Sequence, residues 1–463
     1  MPDPTPSAPT IVDAILYLPA VGSEALSVHR VASIAPRLAQ AMERVCGRAE
    51  ARFVVGESSQ VTYGADRKAT RVSIRRIERV GERGMTGGGV DGGGGGGERE
   101  VARIDLYEIS HTDYLTDGLV EASVVRKAFQ VTRVFLLGGV RFVGLAARRA
   151  RGKQGIGRGQ AMQLTWGVGL LALLAVSWLM LLPGVLDALW RVVQSLRGTA
   201  VEGFAGALGL KGWMASAWTS LAAAVAGVAG VTLLLPRKVR ELVESGAVDL
   251  IRLTNYFEHG EGRGVMVAQL PAFLDSLAER GQRYRRVHVM GYSFGSIVAL
   301  DALFPVGQPA SARLARIDSL ITIACPFDIV RAYWPGHYSL PRGARAEIAP
   351  GAEAPGRPEG RGPSGWWNVL SPGDPLSSNF RNDSDPDGAP EVGPRTAATT
   401  PLLPTRNLCY RNGPGGHPVG LLGALLVRGL RNHGRFWDSE HVDADSCFDL
   451  VLQTAYAGDA LLE

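Results

Sequence analysis

The chain has 463 residues, 46% of them hydrophobic and 20% charged, with a formal net charge of +5 and a pI near 9.1. That length allows one large domain or two small ones, and the composition is globular with a tilt toward membranes. The basic excess is mostly arginine placed beside apolar segments rather than among exposed aromatics, which argues against a nucleic-acid partner and for lipid headgroups.

Four widely spaced cysteines, Cys46, Cys325, Cys409 and Cys447, form no C-x-x-C pair. This argues against zinc and against a disulfide framework, and it fits a reducing compartment. The opening MPDPTPSAPT has neither a basic nor an apolar leader segment, so no secretory signal is expected.

Residues 11–18, IVDAILYL, read as a buried strand, and Pro19-Ala20-Val21-Gly22 as the turn after it. An amphipathic helix is expected over 27–46. From 51 to 110 the apolar period drops to about two, in ARFVV, QVTYG, TRVSIRRI and VARIDLYEIS, as in strands. The glycine run at 87–97 reads as a flexible loop, because no G-K-[ST] follows to make it a phosphate cradle.

Residues 120–151 are apolar but studded with arginine; Val131, Val134, Phe135, Leu137 and Phe142 would form one face of an interfacial helix, with a core helix as the competing reading. Residues 164–182 and 213–235 carry no charge and are long enough to span hydrocarbon. Arg148, Arg149 and Arg151 precede the first stretch and Arg237, Lys238 and Arg240 follow the second. The expectation is therefore a two-pass protein with both termini and the domain outside the spans cytoplasmic, in a bacterial inner membrane, and with 183–212 as the outer turn. Ala223 with Gly227 and Ala226 with Gly230 would pack the two spans together or pair protomers into a homo-oligomer.

Amphipathic helices are expected at 239–253 and 264–280. Then comes YRRVHVMGYSFGSIVALDALF, residues 284–304: an apolar run, Gly291-Tyr292-Ser293-Phe294-Gly295, and a stretch of helical spacing. Strand, sharp turn and helix form the context in which G-x-S-x-G makes a nucleophile elbow. A side chain at either glycine would collide with the neighbouring strand or helix, and the Ser293 hydroxyl would stand above the sheet edge. The Phe294 amide at the helix start would point at a developing oxyanion.

SLITIA at 319–324 is the next buried strand, and 335–365 is a long loop, read either as a lid or as disorder. WWNVL at 366–370 is a short strand that places Asp374 in the turn beyond it. The acidic run 383–388 copies half of a calcium loop, but Pro394 stands where that loop needs its glutamate. His433, in NHGRFW, lies in a loop before a last helix at 443–456; His441 is its rival, and His288 inside a strand reads as a packed core residue.

Serine, aspartate, then histidine, at Ser293, Asp374 and His433, is the chain order of the α/β-hydrolases, and the sequence resembles the lipase/esterase-like branch of that superfamily. GYSFGSIVALDALF, WWNVLSPGDPLSSNF and HGRFWD carry the resemblance. It implies a mostly parallel α/β sheet flanked by helices, here with an antiparallel N-terminal strand region and a two-helix transmembrane insertion. The expected divisions are an N-terminal hydrolase part at 1–119, a membrane insertion at 120–240 and a C-terminal hydrolase part at 241–463.

The resemblance also implies that the loop after the first strand supplies the second oxyanion donor, the amide of Ala20 or Val21. Pro-Ala-Val-Gly stands there in place of the common His-Gly. The implied chemistry is acyl transfer to serine and then to water, with no metal or organic cofactor. The expected substrate is an acyl lipid or ester met at a bilayer, making the chain a lipase, phospholipase or esterase. A non-catalytic membrane-bound binding module, and an acyltransferase or thioesterase using the same triad, are the alternatives.

Overall fold

The first strand, β1 (Ile11–Leu18), is buried over its last six residues and forms the middle of the sheet. The computed structural model describes residues 11–20, 30–47, 52–64, 66–79, 98–110, 251–260, 262–280, 284–305, 311–334, 337, 365–374, 376–378, 405–411, 432–437 and 446–456, with isolated positions between 129 and 175.

The period-two region folds as β2 (Arg52–Val55), β3 (Ser59–Tyr63), β4 (Arg67–Arg79) and β5 (Glu98–Glu108). Downstream come β6 (Arg286–Tyr292), β7 (Ser319–Ile323), β8 (Gly365–Leu370) and β9 (Thr405–Cys409). Among the described residues they form one sheet in the order β2-β4-β5-β1-β6-β7-β8-β9, with β3 paired to β4. The helices of the same unit are α1 (Val31–Cys46), α2 (Arg263–Glu279), α3 (Phe294–Leu303), α4 (Phe327–Tyr333) and α5 (Cys447–Ala455).

The sheet is mixed: β5, β1, β6, β7, β8 and β9 run parallel, while the N-terminal strands β2, β3 and β4 add antiparallel pairings on the β5 side. The antiparallel strands continue the same sheet because β5 pairs with β4 on one edge and with β1 on the other.

One correction to the expected fold class concerns the transmembrane insertion. Among the described residues no helix is long and apolar enough to cross a membrane. The stretches 164–182 and 213–235 themselves lie outside the described residues, apart from Val168 and Ala175. The outer turn at 183–212, the glycine run, the acidic run at 383–388 and nearly all of 335–365 lie outside them too.

The chain divides into two units, one comprising 1–112, 157–163 and 262–463, the other 113–156 and 164–261. In the first, α1 starts at Val31 because the buried Glu108 carboxylate at the end of β5 accepts the Val31 amide at 2.8 Å and pairs with Arg30. An anion at that place offsets the unpaired amides of the first turn.

Asp13, fully buried within β1, is accepted there because Arg285 donates to both its oxygens, at 3.1 and 2.7 Å. Helix α5 is capped by Ser446 and Asp449 in a capping box, and Arg44 of α1 reaches Asp449 at 2.8 and 2.6 Å. Those bonds join residues 405 positions apart. The core between α1, α5 and the sheet is closed by Tyr17, Tyr292, Phe436, Trp437 and Phe448, with Trp437 stacked on Phe448 at 4.8 Å.

Candidate active site

The parallel strands β6 and β8 bring the chemistry to one edge. Ser293 directly follows β6 and Asp374 lies four residues beyond β8, both at the carboxyl ends of strands. This is the edge where parallel α/β sheets bind ligands.

Ser293 has φ 52 and ψ −121, a left-handed conformation rare for a side-chain-bearing residue. Such a backbone stores about 1–3 kcal/mol and persists only where its surroundings enforce it. Here the Ser293 amide donates to the Ile323 carbonyl at the end of β7 at 2.8 Å, and the Ser293 carbonyl accepts from the Ser296 amide at 3.0 Å.

The two glycines leave no room for a side chain. A Cβ on Gly291 would lie 2.5 Å from the Ser296 Cα, and one on Gly295 would lie 2.0 Å from the Leu18 carbonyl oxygen. The second contact seats the first turn of α3 against the end of β1. Phe294, buried, starts α3, so its amide lies at a helix N-terminus beside the nucleophile.

The three residues expected to act together do meet. Ser293 Oγ lies 2.7 Å from His433 Nε2, and His433 Nδ1 lies 2.8 Å from Asp374 Oδ2. The Asp374 carboxylate is buried and the His433 ring is 13% exposed, while Ser293 is only partly buried. A hydroxyl at one imidazole nitrogen, with a buried carboxylate at the other, is the geometry of an activated nucleophile.

The other expectations divide. Ala20 is partly buried and packs on the core just past the β1 end that touches Gly295, whereas Val21 lies outside the described residues. The rival His441 also lies outside them. His288 is buried, with Nδ1 2.5 Å from Ser319 Oγ and its ring against Tyr456.

Several positioning groups escaped the sequence reading. Asp374 Oδ2 accepts the Ser377 hydroxyl as well as His433, and Oδ1 accepts the Leu376 amide at 3.0 Å. Asn432 donates to the Gly373 carbonyl at 3.0 Å, tying the histidine loop to the acid turn. Tyr292, beside the nucleophile, donates its hydroxyl to the His433 carbonyl and stacks its ring on the imidazole at 5.9 Å. Behind the acid turn, Asn368 accepts from Thr322 at 2.9 Å and donates to the Ser378 carbonyl at 2.8 Å, and Ser378 bonds Asp328. For Tyr292, Ser377 and Asn432 the sequence signal is their nearness to the three reactive residues.

Cys325, at the end of β7, is no rival nucleophile: burial pushes its thiol well above the usual range, so it stays protonated. Among the described residues no three His, Cys, Asp or Glu side chains are grouped to hold a metal ion.

No family model, no curated protein and no solved structure matches this chain.

Proposed function

We propose that the protein is a serine hydrolase of carboxylic esters, of the lipase/esterase type, working through an acyl-enzyme. The observation that carries this reading is the continuous Ser293–His433–Asp374 chain at 2.7 and 2.8 Å, headed by a serine held at φ 52. The elbow and the Ser–Asp–His order also support kinship with the α/β-hydrolase superfamily.

In the first step His433 Nε2 takes the Ser293 proton as Oγ attacks the ester carbonyl. Asp374 holds Nδ1–H, fixing the tautomer, and stabilises the imidazolium that forms. The Phe294 amide, and the amide of Ala20 or Val21 from the loop after β1, stabilise the tetrahedral oxyanion. His433 then protonates the leaving alkoxide, which departs as the alcohol. Water, deprotonated by the same imidazole, attacks the acyl carbonyl and releases the carboxylic acid and free Ser293.

The test is pre-steady-state hydrolysis of p-nitrophenyl butyrate. The expected result is a burst of nitrophenol of one equivalent per active site, absent in Ser293→Ala. Hydrolysis undiminished by that substitution refutes the mechanism. Acyl transfer to an added alcohol or thiol in preference to water would reassign the protein to an acyltransferase. Intact folding with no turnover and no burst would leave it a binding module.

A further inference from the structure

We infer that Phe129, Leu136, Val140 and Val143, described helical positions of the second unit, form a docking face for an anionic lipid bilayer, lying along the bilayer surface. Phe129 is 67% exposed, Leu136 60%, Val140 73% and Val143 65%. Successive steps of seven, four and three residues return to one side of an α-helix, so these side chains share an arc of about 60°. They are four of the six large apolar side chains that stand exposed among the described residues, so the exposure is concentrated rather than scattered.

The helix has an opposite, inward side. Val134 is 3% exposed, and Arg133 donates to Asn255 Oδ1 at 3.1 Å within the same unit. Of the residues named from the sequence for an apolar face, Val134 is buried, and Val131, Phe135, Leu137 and Phe142 lie outside the described residues.

Charge selects the occupant. Residues 122–186 contain no Asp or Glu, while Arg126, Lys127, Arg141, Arg148 and Arg149 fall within or beside this stretch. A second copy of the chain would bring like charges together across the contact. A nucleic acid would satisfy the arginines and leave the apolar row without a partner. An anionic bilayer answers both, with the acyl boundary taking the apolar row and the headgroup phosphates taking the guanidinium groups. The inference goes beyond the hydrolase reading and stands independently of it.

The experiment is flotation of the full chain with vesicles of phosphatidylcholine alone and with vesicles of equal phosphatidylcholine and phosphatidylglycerol. The expected result is binding to the anionic vesicles that weakens with added salt, with little binding to the neutral ones. The double substitution Leu136→Gln with Val140→Gln is expected to lower that binding by about ten-fold or more, from the loss of two inserted side chains. An unchanged thermal unfolding curve shows that the variant is folded; if it is not, Leu136→Ala with Val140→Ala replaces it, with the same direction expected. Ser293→Ala is expected to float like the wild type, so a failed hydrolase reading and a failed docking face give different results. Equal binding to both vesicle types, or undiminished binding of the folded double variant, overturns the inference. So does dissociation of a dimer by the double variant, which would assign the row to a second copy.

Discussion

Replacing Gly295 by alanine tests how the nucleophile is held without touching any reactive group. The new Cβ would lie 2.0 Å from the Leu18 carbonyl oxygen and 2.6 Å from both the Leu18 carbonyl carbon and the Pro19 oxygen. All three atoms are backbone, so no side chain can swing aside. Restoring ordinary contact requires the end of β1 or the first turn of α3 to move by roughly an ångström or more. That turn carries Ser293 and the Phe294 amide, and a misplacement of about 1 Å at reacting groups costs about a hundred-fold in rate. The expected outcome is a fall of about two orders of magnitude in kcat/KM on p-nitrophenyl butyrate, with about 1–3 kcal/mol of lost stability from overpacking. Gly264→Ala is the control: it lies in the first turn of α2 and its Cβ would meet nothing within 4 Å. That variant is expected to keep full activity and to gain about 0.5–1 kcal/mol from its restricted unfolded state. Wild-type kcat/KM and an unchanged melting temperature in Gly295→Ala would refute the argument that backbone contact at this glycine sets the elbow.

Three further outcomes are expected. Asp374→Asn leaves the fold intact but removes the acceptor that selects the His433 tautomer, so kcat on the same ester should fall by about four orders of magnitude; a loss of less than ten-fold contradicts the role. Tyr292→Phe keeps the stacked ring but removes the hydroxyl tether to the His433 carbonyl, so kcat should fall by about ten-fold with KM unchanged, and a rise in KM alone would point to a substrate contact instead. Burial raises the carboxyl of Asp449, but hydrogen bonds from Arg44 and from the Ser446 hydroxyl and amide outweigh it and hold the group below the ordinary carboxylate range. A depressed folded value contributes stability above the unfolded value of about 3.9 and loses it as pH falls through the folded one. Denaturant titrations of Asp449→Asn should therefore show about 2 kcal/mol of lost stability at neutral pH, shrinking as the solution is acidified, and a pH-independent loss would exclude this linkage.

The parts of the fold that were legible are those with a short-range cause. The turn at Gly291–Gly295 is written in five residues because the glycines and the strained serine are needed locally, and the alternating residues of β2 to β5 announce strands one by one. Pairing was not legible. Nothing in IVDAILYL says that β1 lies between β5 and β6, because the matching residues stand about ninety and more than two hundred and seventy positions away. The bond between Arg44 and Asp449, across 405 positions, is hidden for the same reason. At the site, serine, acid and base were found by type and order, whereas the Tyr292, Asn432 and Ser377 contacts depend on how three loops meet. A hydroxyl or carboxamide in a turn has many other uses, so residue type alone does not single them out. Absence of charge over two long stretches signalled hydrocarbon spans, but low charge reports only how unwelcome water is, and no described helix meets the length and apolarity that crossing requires.

The most direct test of the account is to label the folded chain with a fluorophosphonate probe and map the adduct by mass spectrometry. The prediction is one adduct, on Ser293 Oγ, lost in Ser293→Ala and slowed by orders of magnitude in His433→Ala, whose general base is gone. No adduct, or an adduct that survives Ser293→Ala, would contradict it.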